Sequence, residues 1–269
     1  MSHSPWAHLE PELARTLVDA RLQLHHAAQL ASAFAISYVT PEADDSHTSL
    51  EWLGASCALA STSSLDVRIA LSVPSLTLEL TGGSLRLGGR TIAEAAGWVR
   101  DRLSRAGLDA ARYTLERHYE IPTHPVAAGA PFEASEEHLE QLSRWLANGA
   151  LLLEGLRAED ARASDVRCWP HHFDIATLIS VRPGHTVGIG LAPGDDYYAE
   201  PYFYVNAYPR PSPADVDGVP LGGAGTWHID EWVGAVLPGS RLTRDRSGQE
   251  SQAAEFIDSA VRAATALLG

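Results

Sequence analysis

The feature that most constrains the fold is a change in hydrophobic period along the chain. Four segments repeat apolar residues every three to four positions, which predicts helices at about 11–34, 91–106, 135–156 and 249–267. Between them the period falls to two, which predicts strands at 67–73, 76–80, 84–87, 112–118, 173–181, 186–191, 202–208 and 232–237. We therefore expect an α+β protein, with helices packed on a mixed or mostly antiparallel sheet.

Residues 122–134, rich in proline and alanine, are predicted to be a linker between two halves of the chain, 1–121 and 135–269. The two halves are expected to form one compact unit, and each has the order helix, strands, helix. The sequence EWLGA at 51–55 recurs as EWVGA at 231–235. This echo leaves open that the halves are pseudo-repeats.

Charge and composition exclude several classes of function. The formal net charge is −14, and all 20 basic residues are arginine. The lack of lysine excludes a Walker-type phosphate loop, Schiff-base chemistry and a lysine general base. A strongly acidic chain without a basic cluster is not expected to bind nucleic acid or an anionic membrane surface.

The cellular location of the protein is predicted from its N-terminal residues, its apolar runs and its cysteines. No apolar run approaches the roughly 20 residues that span a bilayer, and residues 1–13 lack the features of an export signal. Cys57 and Cys168 lie far apart in the sequence and are predicted to be buried thiols rather than a disulfide. A cytoplasmic protein is expected.

The first candidate for chemistry is the segment CWPHHFDIA, residues 168–176. Successive side chains on a strand point to opposite faces, so an extended segment would place His172 and Asp174 on one face. One imidazole and one carboxylate at this spacing suit a divalent ion such as zinc or manganese. The pair alone does not specify the other ligands.

Two later segments add polar groups. In PGDDYYAEPYFYVNAYP, residues 193–209, alternation predicts a polar, aromatic face typical of a ligand cleft, formed by Glu200, Tyr202, Tyr204, Asn206 and Tyr208. In TWHIDEW, residues 226–232, His228 follows a glycine-rich loop, 221–225, that could close over a site.

Together these segments predict a site with two open interpretations. His172, Asp174, Glu200 and His228 could hold a divalent metal, zinc or manganese, that activates water for hydrolysis, with Asp174, Glu200 and Tyr204 as catalytic residues. Without metal, the same groups could act as a general acid–base pair in a small-molecule cleft. The alternative is a non-catalytic structural or interaction protein, in which they form a buried hydrogen-bond network.

The motifs WPHHFDIA, EPYFYV and WHIDEWVGAVLP, with YVT at 38–40, resemble a family of bacterial proteins known only as a domain of unknown function. The resemblance covers most of the chain and is closest from Val166 to Pro238. The resemblance implies that Asp174, Glu200 and Tyr204 are stronger candidates for site residues than the histidines. It brings no established activity with it.

Overall fold

The computed structural model describes residues 5–64 and 66–269; residues 1–4, part of the N-terminal segment considered above, lie outside the described residues. The contacts divide the chain into two compact units, neither of which is one continuous stretch. Unit 1 comprises the chain up to Thr16, Arg144–Val166 and Asp174–Gly269, and unit 2 comprises Leu17–Ser143 and Arg167–Phe173.

The described residues form helices and strands that alternate along the chain. The helices are α1 (Val18–Tyr38), α2 (Ile92–Arg105), α3 (Glu136–Glu159) and α4 (Arg246–Leu267). The strands are β1 (Leu50–Leu53), β2 (Ala58–Ser61), β3 (Ala70–Ser72), β4 (Thr77–Leu80), β5 (Gly83–Arg86), β6 (Arg167–Trp169), β7 (Asp174–Arg182), β8 (His185–Ala192), β9 (Tyr202–Tyr208), β10 (Thr226–His228) and β11 (Gly234–Pro238). Within each unit the strands pair antiparallel, which confirms the α+β prediction.

In unit 2 the strand order is β6-β1-β2-β3-β4-β5, and α1 packs on β2 and β3. The helix α1 is buried on nearly all sides, so its polar residues Gln23, His25, His26, Gln29 and Ser32 lie in the interior. A capping box begins α2: the Thr91 hydroxyl accepts from the Glu94 amide at 3.2 Å, and the Glu94 carboxylate accepts from the Thr91 amide at 2.7 Å.

In unit 1 the order is β10-β11-β9-β8-β7, and α4 packs on β9 and β8. One face of these strands is apolar and buried, with Ile175, Ile189, Leu191, Phe203 and Val205 all 1% exposed or less. The unit 1 part of α3 lies against this face at Gly149, where an added Cβ would come within 2.9 Å of the Leu191 side chain. Polar and aromatic residues lie on the opposite face of these strands.

Two local predictions are wrong, and a third observation bears on the sequence echo. The predicted first helix is two elements: a 3₁₀ helix over Pro11–Thr16 comes first, and α1 begins only at Val18. Residues 112–118 form no strand; Tyr113 is instead held by its hydroxyl, which donates to the Leu30 carbonyl at 2.7 Å. The EWLGA segment leads from strand β1 into a turn, whereas EWVGA leads from a turn into β11, so the echo does not mark equivalent elements.

The strand predicted at 173–181 forms as β7, but the extended backbone assumed for 168–176 is interrupted by a turn at residues 170–173. Phe173 has a φ of 60° and its amide donates to the Trp169 carbonyl at 2.7 Å, which closes the turn. A side chain at positive φ is strained, so tertiary contacts must hold it there. Alternation therefore does not run from His172 to Asp174, and the reasoning that placed both side chains on one strand face is wrong.

Two further expectations concern the chain as a whole. Cys168 is a buried thiol, as predicted, whereas the thiol of Cys57 belongs to a partly exposed residue. None of the helices among the described residues is both long and apolar enough to cross a membrane.

Candidate functional site

Tyr204 and Asp174 are the two predicted site residues that the fold brings into contact. They lie on β9 and β7, which are separated by β8, so the tyrosine ring must cross the intervening strand. Gly190 of β8 makes this crossing possible, because a Cβ atom there would lie 2.6 Å from Cζ of Tyr204. The hydroxyl of Tyr204 then donates to Oδ2 of Asp174.

The electrostatics of this pair favour a protonated tyrosine. Burial raises the pKa of Tyr204 well above its ordinary value, and the negative charge of Asp174 and the hydrogen bond to it raise the pKa further. The phenol therefore acts as a hydrogen-bond donor to a carboxylate. It is not available as a base at neutral pH.

From Tyr204, a continuous series of rings leads to His228, and we call these residues the aromatic row. Tyr204 lies 6.1 Å from Tyr202 between ring centroids, and Tyr202 lies 4.7 Å from Tyr198. The Tyr198 hydroxyl is 2.9 Å from Nδ1 of His228, whose ring stacks on Trp232 at 4.4 Å. Tyr204, Tyr202 and His228 of this row were predicted from the sequence, whereas Tyr198 was not.

Asp195 fixes the segment that carries Tyr198. Its Oδ1 accepts from the backbone amides of Tyr197 at 2.8 Å and Tyr198 at 2.9 Å, and its Oδ2 accepts from the Tyr202 hydroxyl at 2.5 Å. Burial and then the charge of Asp195 raise the pKa of Tyr202. Asp195 therefore holds the aromatic row in place.

Beside His228 and Trp232 lies an open depression of about 400 Å³, which we call the aromatic recess. Its lining residues are Asp196, Tyr197, Asp230 and Glu231. Tyr197 is 49% exposed, and its ring stands at 73° to His228 and 68° to Trp232, with centroids 5.5 and 6.0 Å away. One exposed aromatic ring, packed on His228 and Trp232, thus adjoins three carboxylates in the recess.

The turn that carries Asp230 and Glu231 is fixed by hydrogen bonds. The Asp230 carbonyl accepts from the Trp232 amide at 2.7 Å and lies 2.6 Å from Nε2 of His228. Glu231 has a φ of 63°, and its carbonyl accepts from Arg210 at 2.9 Å. A hydrogen bond to Glu231 is also the first cause that raises the pKa of Tyr197. The recess is therefore largely preformed.

Glu200 lies elsewhere in unit 1 and precedes β9 instead of forming part of it. Its carboxylate accepts from the Ser240 amide at 2.5 Å, the Ser240 hydroxyl at 3.0 Å and Nε of Arg15 at 3.1 Å. His172 is an exposed residue of the turn at 170–173 in unit 2, where its ring lies 4.4 Å from that of His171. Each of these residues thus has partners different from those of Asp174 and His228.

The predicted metal site of His172, Asp174, Glu200 and His228 is not assembled as a ligand set. Over residues 5–64 and 66–269, no group of three or more histidines, cysteines, aspartates or glutamates could hold a metal ion. The physical reason is that the turn at 170–173 breaks the alternation on which the set depended, while Glu200 lies outside the strand.

The glycine-rich loop at 221–225 does not form a lid over the recess. The Gly223 carbonyl accepts from Gln252 of α4 at 2.9 Å, and the Gly222 amide donates to Ser259 of α4 at 2.8 Å. The loop is fixed to α4, so the glycines permit close packing rather than closure of a lid.

Several contributing residues were missed by sequence reasoning. Four residues that form the aromatic row or support the recess belong to no recognised motif: Gly190, Asp195, Tyr198 and Trp232. One available signal was the glycine at position 190 of the predicted strand TVGIGL, since a glycine within a strand often marks a close approach by another group. The strand register needed to pair it with Tyr204 comes only from the fold.

Replacing Tyr204 by phenylalanine is expected to destabilise unit 1 by about 1–3 kcal/mol, because the buried Asp174 loses a hydrogen-bond donor. Urea unfolding followed by tryptophan fluorescence measures the change. Tyr208→Phe is the matched control, since Tyr208 lies on the same strand but is 65% exposed. Equal stability of the two variants would contradict a structural role for the pair.

The chain was compared with known proteins in three ways. No family model matches it, no curated protein matches it, and no solved structure matches it.

Proposed function

We propose that the protein is a non-catalytic binding protein whose aromatic recess takes a small organic cation. The observation that carries the proposal is the recess of about 400 Å³, in which the exposed ring of Tyr197 adjoins three carboxylates. We place this activity in the cytoplasm, with a small molecule as the partner and neither nucleic acid nor membrane.

An exposed aromatic ring supports a cationic ligand, because the face of the ring carries partial negative charge. A cation within about 6 Å of a ring centroid gains roughly 0.5–2 kcal/mol per ring, with the larger values where water is excluded. Tyr197 supplies an exposed ring, and the stacked pair of His228 and Trp232 stands behind it. Quaternary ammonium groups suit such walls best, since they are weakly hydrated and have no hydrogen bonds to satisfy.

Charge supports the same class of ligand. Asp196, Asp230 and Glu231 line the recess, and the Arg210 side chain donates to the backbone carbonyl of Glu231. A cation that enters the recess therefore meets a negative potential, which favours both its affinity and its rate of association.

A catalytic role has less support. The Tyr204 hydroxyl is committed to Asp174, and the Glu200 carboxylate accepts hydrogen bonds from Ser240 and Arg15. Groups that satisfy one another in this way supply rigidity, whereas catalysis needs a base or nucleophile that reaches a substrate. These residues are best explained as the frame that holds the aromatic row.

The test is isothermal titration calorimetry with choline and with 3,3-dimethyl-1-butanol, its uncharged isostere. We expect choline to bind at least tenfold more tightly than the isostere, because only choline gains from the rings and carboxylates. Tyr197→Ala should weaken choline binding about tenfold, and Asp230→Asn should reduce the preference for choline over the isostere.

Glu79→Gln is the matched control for charge, since it removes one negative charge from an exposed position on β4 of the other unit. It should leave choline affinity unchanged. Equal affinities for choline and its isostere, or an equal loss in Glu79→Gln and Asp230→Asn, would overturn the proposed function.

A further inference from the structure

A second depression of about 400 Å³ lies on unit 1, where the 3₁₀ helix Pro11–Thr16 contacts the 3₁₀ turn Gly239–Arg241. Its lining residues are Pro11, Glu12, Arg15, Ser240, Leu242 and Arg244. None of them belongs to the aromatic recess. Two guanidinium groups in one pocket are notable in a chain whose net charge is −14.

Arg15 is held at this pocket by Glu200. The Glu200 side chain is only 7% exposed, and its Oε1 accepts from Nε of Arg15 at 3.1 Å. The same carboxylate accepts from the amide and hydroxyl of Ser240, so it is fixed from a second direction. The Arg15 side chain remains 73% exposed. A buried acid therefore anchors the Nε edge of an accessible guanidinium, which reduces the entropy that the side chain would lose on binding.

Arg244 supplies the second cation with a weaker attachment. Its side chain is 84% exposed, and its Nε lies 3.9 Å from the carboxylate of Glu12. This separation exceeds that of a hydrogen bond, and an exposed ion pair of this kind contributes little to stability. A ligand can therefore displace Glu12 from Arg244 at small cost.

Oxygen anions are the ligands that match this arrangement. Guanidinium groups bind carboxylate and phosphate through charge-assisted hydrogen bonds, often with two parallel contacts. We propose that the pocket bounded by Arg15, Ser240 and Arg244 binds a small oxyanion between its two guanidinium groups. Glu200 anchors Arg15, and Glu12 competes with the ligand for Arg244.

The overall charge of the chain disfavours non-specific binding of anions. A net charge of −14 repels anions, so non-specific attraction cannot account for binding. Any saturable binding of an oxyanion must come from a local site. Because Glu12 and Glu200 offset both arginines within the pocket, we expect modest, millimolar affinity.

The probes are inorganic phosphate and acetate, titrated by calorimetry into the full chain at constant ionic strength set with sodium chloride. Arg15→Gln and Arg244→Gln should each weaken binding about tenfold or more, since each removes a charged hydrogen-bond donor. Glu12→Gln should tighten binding severalfold, because it removes the competing carboxylate. Preference for phosphate or for acetate identifies the class of oxyanion.

Arg68→Gln is the matched control, because it removes one positive charge from an exposed ion pair in unit 2. It should leave binding unchanged. Arg244 is almost fully exposed, so its variant tests the pocket even where Arg15→Gln lowers stability, which the thermal midpoint of each variant monitors. The proposal is overturned if neither anion binds at roughly 10 mM, if Glu12→Gln weakens binding, or if Arg68→Gln weakens it as much as Arg244→Gln.

Discussion

Lowering the pH from 7 to 5 is expected to remove about 2–4 kcal/mol from the free energy of unfolding, chiefly through two histidines of unit 2. Burial lowers the pKa of His25 from 6.5 to about 3, and the nearby charges of His26, Arg21 and Arg117 oppose its protonation as well. Burial and then His172 lower the pKa of His171 to about 4. Both side chains are therefore uncharged in the folded protein at neutral pH.

The direction of this change in stability follows from proton uptake by the folded and unfolded chains. In the unfolded chain these histidines take up protons near pH 6.5, whereas in the fold they do so only at about pH 3 and pH 4. Their contribution to stability is complete above pH 6.5 and is lost as the pH falls towards those values. Each contributes at most about 1.4 kcal/mol per pH unit, and the partly exposed His171 contributes less than His25.

The contacts of His25 explain why it must stay uncharged. Its Nε2 donates to the Pro170 carbonyl at 2.8 Å, and its ring stacks on Phe173 at 4.8 Å with an interplanar angle of 9°. Gln29 donates to the same carbonyl at 2.8 Å. Protonation of His25 would place a charge inside this packed turn.

Urea unfolding at pH 7, 6 and 5 tests the prediction. His25→Gln should be less stable than the natural protein at pH 7 but should lose less stability on acidification. His185→Gln, a change at the start of β8 in unit 1, is the control and should keep the original pH dependence. An unchanged pH dependence in His25→Gln would contradict the assignment.

Gly223→Ala is expected to destabilise unit 1 by about 3 kcal/mol or more, through backbone strain together with overpacking. Gly223 has a φ of 60°, and an added Cβ would lie 2.1 Å from the Gln252 carbonyl oxygen and 2.8 Å from the Phe256 nitrogen. Both atoms belong to the backbone of α4, so no side-chain rotation can relieve the overlap. Thermal or urea unfolding measures the loss.

Gly218 provides the matched control, since it lies in the same loop region, has a φ of 69° and would place an added Cβ in open space. Gly218→Ala should therefore show only the cost of the left-handed conformation, roughly 1–2 kcal/mol. The difference between the two variants isolates the packing of the loop on α4. Equal losses would show that the loop does not contact α4 as described.

Two predictions that rest on local signals agree with the structure. The capping box at Thr91 and Glu94 needs only residues three apart, and it begins α2 where expected. Alternation along β9 correctly places Phe203 and Val205 in the core and Tyr208 at the surface. Such patterns depend on the backbone geometry of one element, so a single sequence suffices to identify them.

Predictions that depend on distant partners differ from the structure. The turn at 170–173 requires positive φ at Phe173, which is stabilised by a ring contact with His25 in α1. The segments LEWL of β1 and ALAS of β2 are short, and ALAS shows no alternation because all four of its residues are buried. Within the candidate site, the contact of Tyr204 with Asp174 depends on strand order and on Gly190, neither of which a motif specifies.

The most direct measurement of the proposed function follows the seven tryptophan indole signals in a ¹⁵N–¹H spectrum during titration with choline. We expect the Trp232 signal, assigned with Trp232→Phe, to shift and saturate at the affinity found by calorimetry, because this ring adjoins Tyr197 at the recess. The signal of Trp145, buried against Phe203 on the apolar face, should not move. No shift at Trp232, or equal shifts of both signals, would contradict binding in the aromatic recess.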